Sequence, residues 1–133
     1  DGQFPANIVG QFLRVSEGAD MVVGHLREAR PGLVGQALSL AERALYRALF
    51  GRFPRFQGIL LIRREMLADF RFVSEGRGWA IVMELLLRAS RGNYVLVSQA
   101  TEIRPRMSGE SKVNNVRTIA ANLRQLWALN RRI

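Results

Sequence analysis

Three short runs rich in apolar and β-branched residues punctuate this chain: "ADMVVG", "FQGILLI" and "YVLVSQATEI". Each is bounded by Gly, Pro or polar residues and is rich in β-branched residues, so each reads as a strand. Between and around them lie segments whose apolar residues recur at helical spacing. "PANIVGQFLRVSEG" places Ile8, Val9, Phe12, Leu13 and Val15 on one side, with Pro5 in a first turn. "PGLVGQALSLAERALYRALFG" reads as a second helix stopped near Gly51, with Pro54 beyond. "RREML" bends from the second strand into a helical turn. "GWAIVMELLLRASRGN" is the strongest helical pattern and ends on Arg88, Arg91, Gly92 and Asn93. A last helix starts from an Asn114 or Asn115 cap and runs to about Arg132. The resulting order, α-β-α-β-α-β-α, argues for a layered α/β domain with helices packed on a narrow sheet. Three strands are too few for a free-standing doubly wound fold. The looser segments are 26–32, 51–56 and 104–113.

With 133 residues and 48% hydrophobic content, the chain has material for one modest domain with a real core. Cysteine is absent, which removes disulfides and thiolate metal sites. The net charge is +9, and nearly all of the basic excess is arginine. Such a balance points to polyanionic partners, and arginine suits bidentate phosphate contacts. No apolar run reaches the roughly 20 residues needed to cross a bilayer, and none reads as a signal peptide.

Several residues stand out against this background. His25 is the only histidine, so a multi-histidine metal site is excluded, and a structural role is the simpler reading. Glu84 lies inside "IVMELLLRA" and must be paired, hydrogen-bonded or at a cleft; Arg88, four residues on, is the obvious partner. In the final helix Val116, Ile119, Ala120, Leu123, Leu126 and Trp127 form an apolar stripe flanked by Arg117, Arg124 and Arg131. That helix either packs on the core with a solvated arginine face or lies on an anionic membrane surface. The helix around 38–50, with Arg43, Tyr46 and Arg47, could lie beside it. No Gly-rich nucleotide loop and no Ser-His-Asp order is present.

"RPRMSGESKVNN", residues 104–115, gathers two arginines, a Ser-Gly turn, the lone lysine and two helix-capping asparagines. It is either a solvated basic loop or an anion clamp at a loop–helix junction.

Taken with "DGQ" at 1–3, "GADMVVG", "QGILLIRREML" and "EGRGWAIVMELLLRA", this loop resembles the C-terminal half of the family 2 glycosyltransferases. Within that family the likeness is to the polyprenyl-phosphate sugar synthases of the dolichyl-phosphate mannose synthase type. The resemblance covers nearly the whole chain and implies the acceptor-side portion of a three-layer GT-A-like domain, 1–133, with 113–132 as its C-terminal amphipathic helix. It implies that Asp1 matches the second aspartate of the metal-holding Asp-x-Asp motif, and that Gln3 can also reach the Mg²⁺ or Mn²⁺ ion. The first aspartate and the nucleotide-binding half would then precede Asp1, and the present chain alone would be inactive. Arg106, Ser111 and Lys112 match the family's phosphate-binding "R…GESK" positions, with Gly109 permitting the turn and Glu110 orienting Lys112. Glu84 matches a glutamate facing the acceptor site, which makes Glu84, Arg106 and Lys112 the expected catalytic set. The chain departs from the family at Gly24-His25-Leu26, where an arginine usually follows Gly-Ser, and at Gln57-Gly58-Ile59-Leu60, where Ser-Gly-Phe-Arg is usual. Arg27 is the candidate replacement for the lost arginine.

What the resemblance implies is sugar transfer from a nucleotide-sugar donor to a polyprenyl-phosphate acceptor, on the cytoplasmic face of a membrane. The enzyme would be peripheral or anchored by segments outside this chain. The acceptor phosphate is already an anion, so the reaction needs a cation and fixed positive groups more than a strong base. A basic module binding nucleic acid or anionic lipid without catalysis is the alternative. The charge alone supports nucleic acid, and no recognition motif accompanies it, so no nucleic-acid partner is expected.

Overall fold

The computed structural model describes residues 3–27, 33–51, 54–56, 58–74, 79–102, 104 and 124–133. The three strands form one mixed sheet in the order β2-β1-β3. Strand β1 (Met21–Leu26) is central. It pairs antiparallel with β2 (Leu60–Ile62) and parallel with β3 (Leu96–Thr101). The sequence-derived strand "ADMVVG" therefore continues two residues beyond Gly24, because the parallel ladder with β3 runs as far as Leu26 opposite Thr101.

Strand alternation sends neighbouring side chains to opposite faces, and each face has its own cover. Met21 and Val23 join Leu60, Ile62 and Leu96 on one face. Val22 joins Leu61 and Val97 on the other. Helix α1 (Ile8–Arg14) covers the second face through Ile8 and Phe12, one turn apart. Its N-terminus follows Pro5, whose carbonyl accepts the Ile8 N–H at 3.0 Å. The helix is shorter than its pattern, since the Ser16 hydroxyl and N–H both turn back to the Leu13 carbonyl and Gly18 follows at φ +71°. Val9 and Leu13, expected on the apolar side, stay exposed: two buried positions per two turns suffice to seat so short a helix.

On the first face lies helix α4 (Trp79–Arg91). All five residues from Met83 to Leu87 are buried, so α4 is enclosed on more than one side. Burying Leu86 or Leu87 contributes about 1.5–3 kcal/mol each. Met66 of the short helix α3 (Arg64–Ala68) and Phe50 at the end of helix α2 (Leu33–Phe50) complete this core with Leu126 and Leu129. Helix α2 stops where the sequence pattern puts its end: Gly51 takes φ +72°, and its N–H reaches the Arg47 carbonyl at 2.9 Å. The fold is thus mixed α/β, with a narrow mixed sheet and helices on both faces.

Residues 124–130 are helical. Leu126 and Leu129, three apart, point into the core, and Ile133 packs beside them. Trp127 lies about 100° further round the helix, and its side chain is half exposed under the Arg131 guanidinium, 4.6 Å from the ring centroid. The apolar stripe read from the sequence therefore divides here, with Leu126 inward and Trp127 outward. The cap at Asn114 or Asn115 and the stripe from Val116 to Leu123 lie outside the described residues.

Candidate functional site at the carboxyl edge of the sheet

Because β1 and β3 run parallel, their carboxyl ends emerge together, and ligands of α/β sheets gather at such edges. Here that edge is tightly tied. The Arg27 N–H donates to the Thr101 carbonyl at 3.1 Å, one step beyond the last paired position. The buried Thr101 hydroxyl donates to the His25 carbonyl at 3.0 Å. Gly24 lies beneath the edge, where any Cβ would meet the Ile59 carbonyl oxygen at 3.0 Å and the Phe12 ring at 3.1 Å. Its own N–H donates to that carbonyl at 2.9 Å. Glycine is favoured there by close approach of the Ile59 carbonyl and the Phe12 ring, not by its φ angle.

Three segments converge above this edge. Arg27 leaves β1 and Glu102 leaves β3, and their side chains form an exposed ion pair at 3.3 Å. Arg104, two residues further, donates its N–H to the Gln3 carbonyl at 2.8 Å. The N-terminal segment and the segment leading to the basic loop are thereby bound side by side. His25 lies in the same corner with Nδ1 buried and, among the described residues, without a hydrogen-bond partner.

Glu84 occupies a different kind of environment. It is fully buried on α4, and both carboxylate oxygens are engaged. Oε1 accepts the Val73 N–H at 2.8 Å and Arg88 Nε and Nη2 at 2.8 Å each. Oε2 accepts the Ser74 N–H at 2.7 Å. Burial pushes this carboxyl's pKa up, but the donors from Val73, Ser74 and Arg88 together outweigh it and hold the group below its ordinary value. The i,i+4 pair with Arg88 expected from the sequence is therefore present. The two backbone donors from 73–74 could not be read from local spacing, being ten and eleven residues away.

Among the other expected site residues, Gln3 lies at the carboxyl edge. Asp1, Arg106, Gly109, Ser111 and Lys112 lie outside the described residues. In sequence, Asp1 stands two residues before Gln3 and Arg106 two residues after Arg104. The donor set proposed for a divalent cation consists of hard oxygens, a carboxylate and an amide, which suits Mg²⁺ or Mn²⁺. No cluster of three or more His, Cys, Asp or Glu occurs among the described residues. Sequence reasoning passed over Glu102, whose only signal was its position at the strand end.

At the opposite, amino edge is a shallow depression lined by Ser16, Ala19, Asp20, Met21, Val22, Leu61, Ile62 and Arg63. Asp20 ties the three strands there: it accepts the Val95 N–H at 2.8 Å, and its own carbonyl accepts the Arg63 N–H at 2.9 Å. Arg63 also donates to the Ala19 carbonyl at 3.1 Å. These polar groups satisfy one another within the fold, so the depression reads as a structural joint. No helix among the described residues is long and apolar enough to cross a membrane. Comparison with family models, curated proteins and solved structures finds no match to this chain.

Proposed function

We propose that this chain is the acceptor-side portion of a metal-dependent, inverting glycosyltransferase of the family 2 type, with a GT-A-like architecture. It transfers a sugar from a nucleotide-sugar to a polyprenyl phosphate or related acceptor at a membrane surface, on the cytoplasmic side. One observation carries the reading: the Gln3–Arg104 backbone bond at 2.8 Å, at the carboxyl edge of the parallel strands. The two segments that the sequence resemblance links to cation and phosphate thus enter and leave the described fold at one place.

In this reading the acceptor phosphate oxygen bonds to the anomeric carbon as the bond to the nucleoside diphosphate breaks. The nucleophile is already ionised, so no strong general base is needed. Arg106, Ser111 and Lys112 bind phosphate oxygens and orient them, and Gly109 lets the loop turn toward them. Asp1 and the Gln3 amide would hold Mg²⁺ or Mn²⁺, which when bound offsets charge on the leaving diphosphate. Glu84 acts by position: a saturated, buried carboxylate fixes the 73–74 segment against α4. The half-exposed Trp127 with Arg131 over its ring offers an amphipathic contact for anionic headgroups.

The test uses a chain that includes the nucleotide-binding half. Arg106→Ala and Lys112→Ala are expected to lower sugar transfer to a polyprenyl phosphate by at least about 10²-fold, the scale of losing a preorganised charge-stabilising group, with the circular dichroism spectrum unchanged. Transfer at the unsubstituted rate in both variants would remove the site assignment.

A further inference from the structure

We propose that Arg27 is a phosphate-binding residue held in reserve by Glu102, so that an incoming phosphate displaces the Glu102 carboxylate from its guanidinium. The inference rests on the functional reading above and adds a residue, and a means of tuning affinity, to the same edge.

Arg27 differs from Arg63, which is tied in the same way at the amino edge, by standing at the carboxyl edge of the parallel pair. Its N–H is bonded to the Thr101 carbonyl at 3.1 Å, so its side chain springs from the last fixed point of the β1–β3 ladder. That point is where parallel strands present ligands. The side chain is 67% exposed and Glu102 73%, so a ligand can reach both without opening the core. An exposed pair of this kind holds weakly, because water competes at both ends. At 3.3 Å from Arg27 Nη1 the Glu102 carboxylate oxygen occupies a place that a phosphate oxygen, with charge of the same sign, can take. A diphosphate brings more charge and more acceptors than a carboxylate and competes favourably for the guanidinium. Arg104 and the Gln3 carbonyl neighbour this edge, so the exchange takes place beside the segments assigned to phosphate and cation.

Glu102 therefore has two effects. It keeps a bare guanidinium from attracting nonspecific anions, and it lowers affinity for the proper ligand by the strength of the latch. Removing it should tighten binding, but only while Arg27 is present.

The experiment measures inorganic pyrophosphate binding by calorimetry at one fixed ionic strength, in the unsubstituted chain and in Arg27→Ala, Glu102→Gln and the double variant. Arg27→Lys serves as the variant that keeps charge and loses the fork. Both positions are exposed, and circular dichroism verifies folding. Glu102→Gln should tighten binding about two- to fivefold, the scale of an exposed ion pair. Arg27→Ala should weaken it about tenfold, and Arg27→Lys by an intermediate amount. In the Arg27→Ala background Glu102→Gln should have almost no effect. An equal gain in both backgrounds would show simple charge repulsion and overturn the latch, as would unchanged binding in Arg27→Ala. Arg106→Ala and Lys112→Ala, measured alongside, separate the two ideas. If they weaken binding while the Arg27–Glu102 cycle is additive, the latch fails and the functional reading stands. If they leave binding unchanged while the cycle is non-additive, the loop assignment fails and the latch stands.

Discussion

Replacing Glu84 tests the most heavily engaged polar group in the described structure. Glu84→Ala deletes a fully buried carboxylate that accepts two backbone N–H groups and two arginine nitrogens. Hydrogen bonds to a charged group contribute about 1.5–3 kcal/mol each, but these do not all add. The Arg88 side chain is 24% exposed and can turn toward water once its partner is gone. The Val73 and Ser74 N–H groups are part-buried and lose a charged acceptor. That loss costs about 1–3 kcal/mol, and the volume vacated by the fully buried side chain adds a cavity term. The sum points to a loss of about 3–4 kcal/mol for Glu84→Ala. Glu84→Gln, which keeps the shape but turns one acceptor into a donor, should lose about 2 kcal/mol. Arg88→Ala should cost less than Glu84→Ala, since it leaves both backbone contacts in place. Urea unfolding followed by circular dichroism reads these differences directly. The sign of the pH dependence follows from the lowered pKa. Glu84's contribution is complete above its ordinary value of 4.5 and is lost as pH falls through the lower folded value. The unsubstituted chain should therefore lose more stability on acidification below about pH 4.5 than Glu84→Gln does. A Glu84→Ala loss under about 1 kcal/mol, or identical pH profiles, would refute the clamp.

Two further predictions follow from the packing. Gly24→Ala forces a methyl against the Ile59 carbonyl and the Phe12 ring, and should cost about 1–3 kcal/mol in urea unfolding; a neutral result would show that α1 and β2 can shift apart. Leu126→Ala should cost about 2–5 kcal/mol, whereas Trp127→Ala should cost under about 1 kcal/mol but weaken sedimentation with vesicles of mixed phosphatidylcholine and phosphatidylserine. The reverse pattern would place Trp127, not Leu126, in the core.

Much of the fold was legible in the residues because it rests on local pattern. "ADMVVG" and "YVLVSQATEI" are short, apolar and bounded, and they became the parallel pair of central strand β1 and edge strand β3. Gly51 and Gly92 ended α2 and α4 near their expected stops, each through a backbone bond to the preceding turn. What local pattern could not carry was pairing across the chain. Nothing in "FQGILLI" states that β2 runs antiparallel to β1 while β3 runs parallel. Glu84's link to Arg88 is a helix-spacing relation and was readable; its link to the 73–74 backbone depends on how a loop folds over α4. Leu126 and Trp127 are adjacent and both apolar, and only the packing direction of the last helix sorts one inward. At the candidate site, Gln3 and Arg104 are 101 residues apart and meet through the sheet, which no motif encodes. Arg27 was visible as a replacement for the missing arginine, while its pairing with Glu102 required the β1–β3 register.

Phosphate binding is proposed at the carboxyl edge of β1 and β3, where the Gln3 and Arg104 segments meet. Paramagnetic relaxation by Mn²⁺ pyrophosphate, read on backbone amides, tests it most directly, since even weak binding broadens nearby signals. Selective broadening of Gln3, Arg27 and Arg104, with Asp20 and Arg63 at the amino edge left sharp, is the predicted result. Broadening centred on Asp20 and Arg63, or spread evenly over the surface, would contradict it.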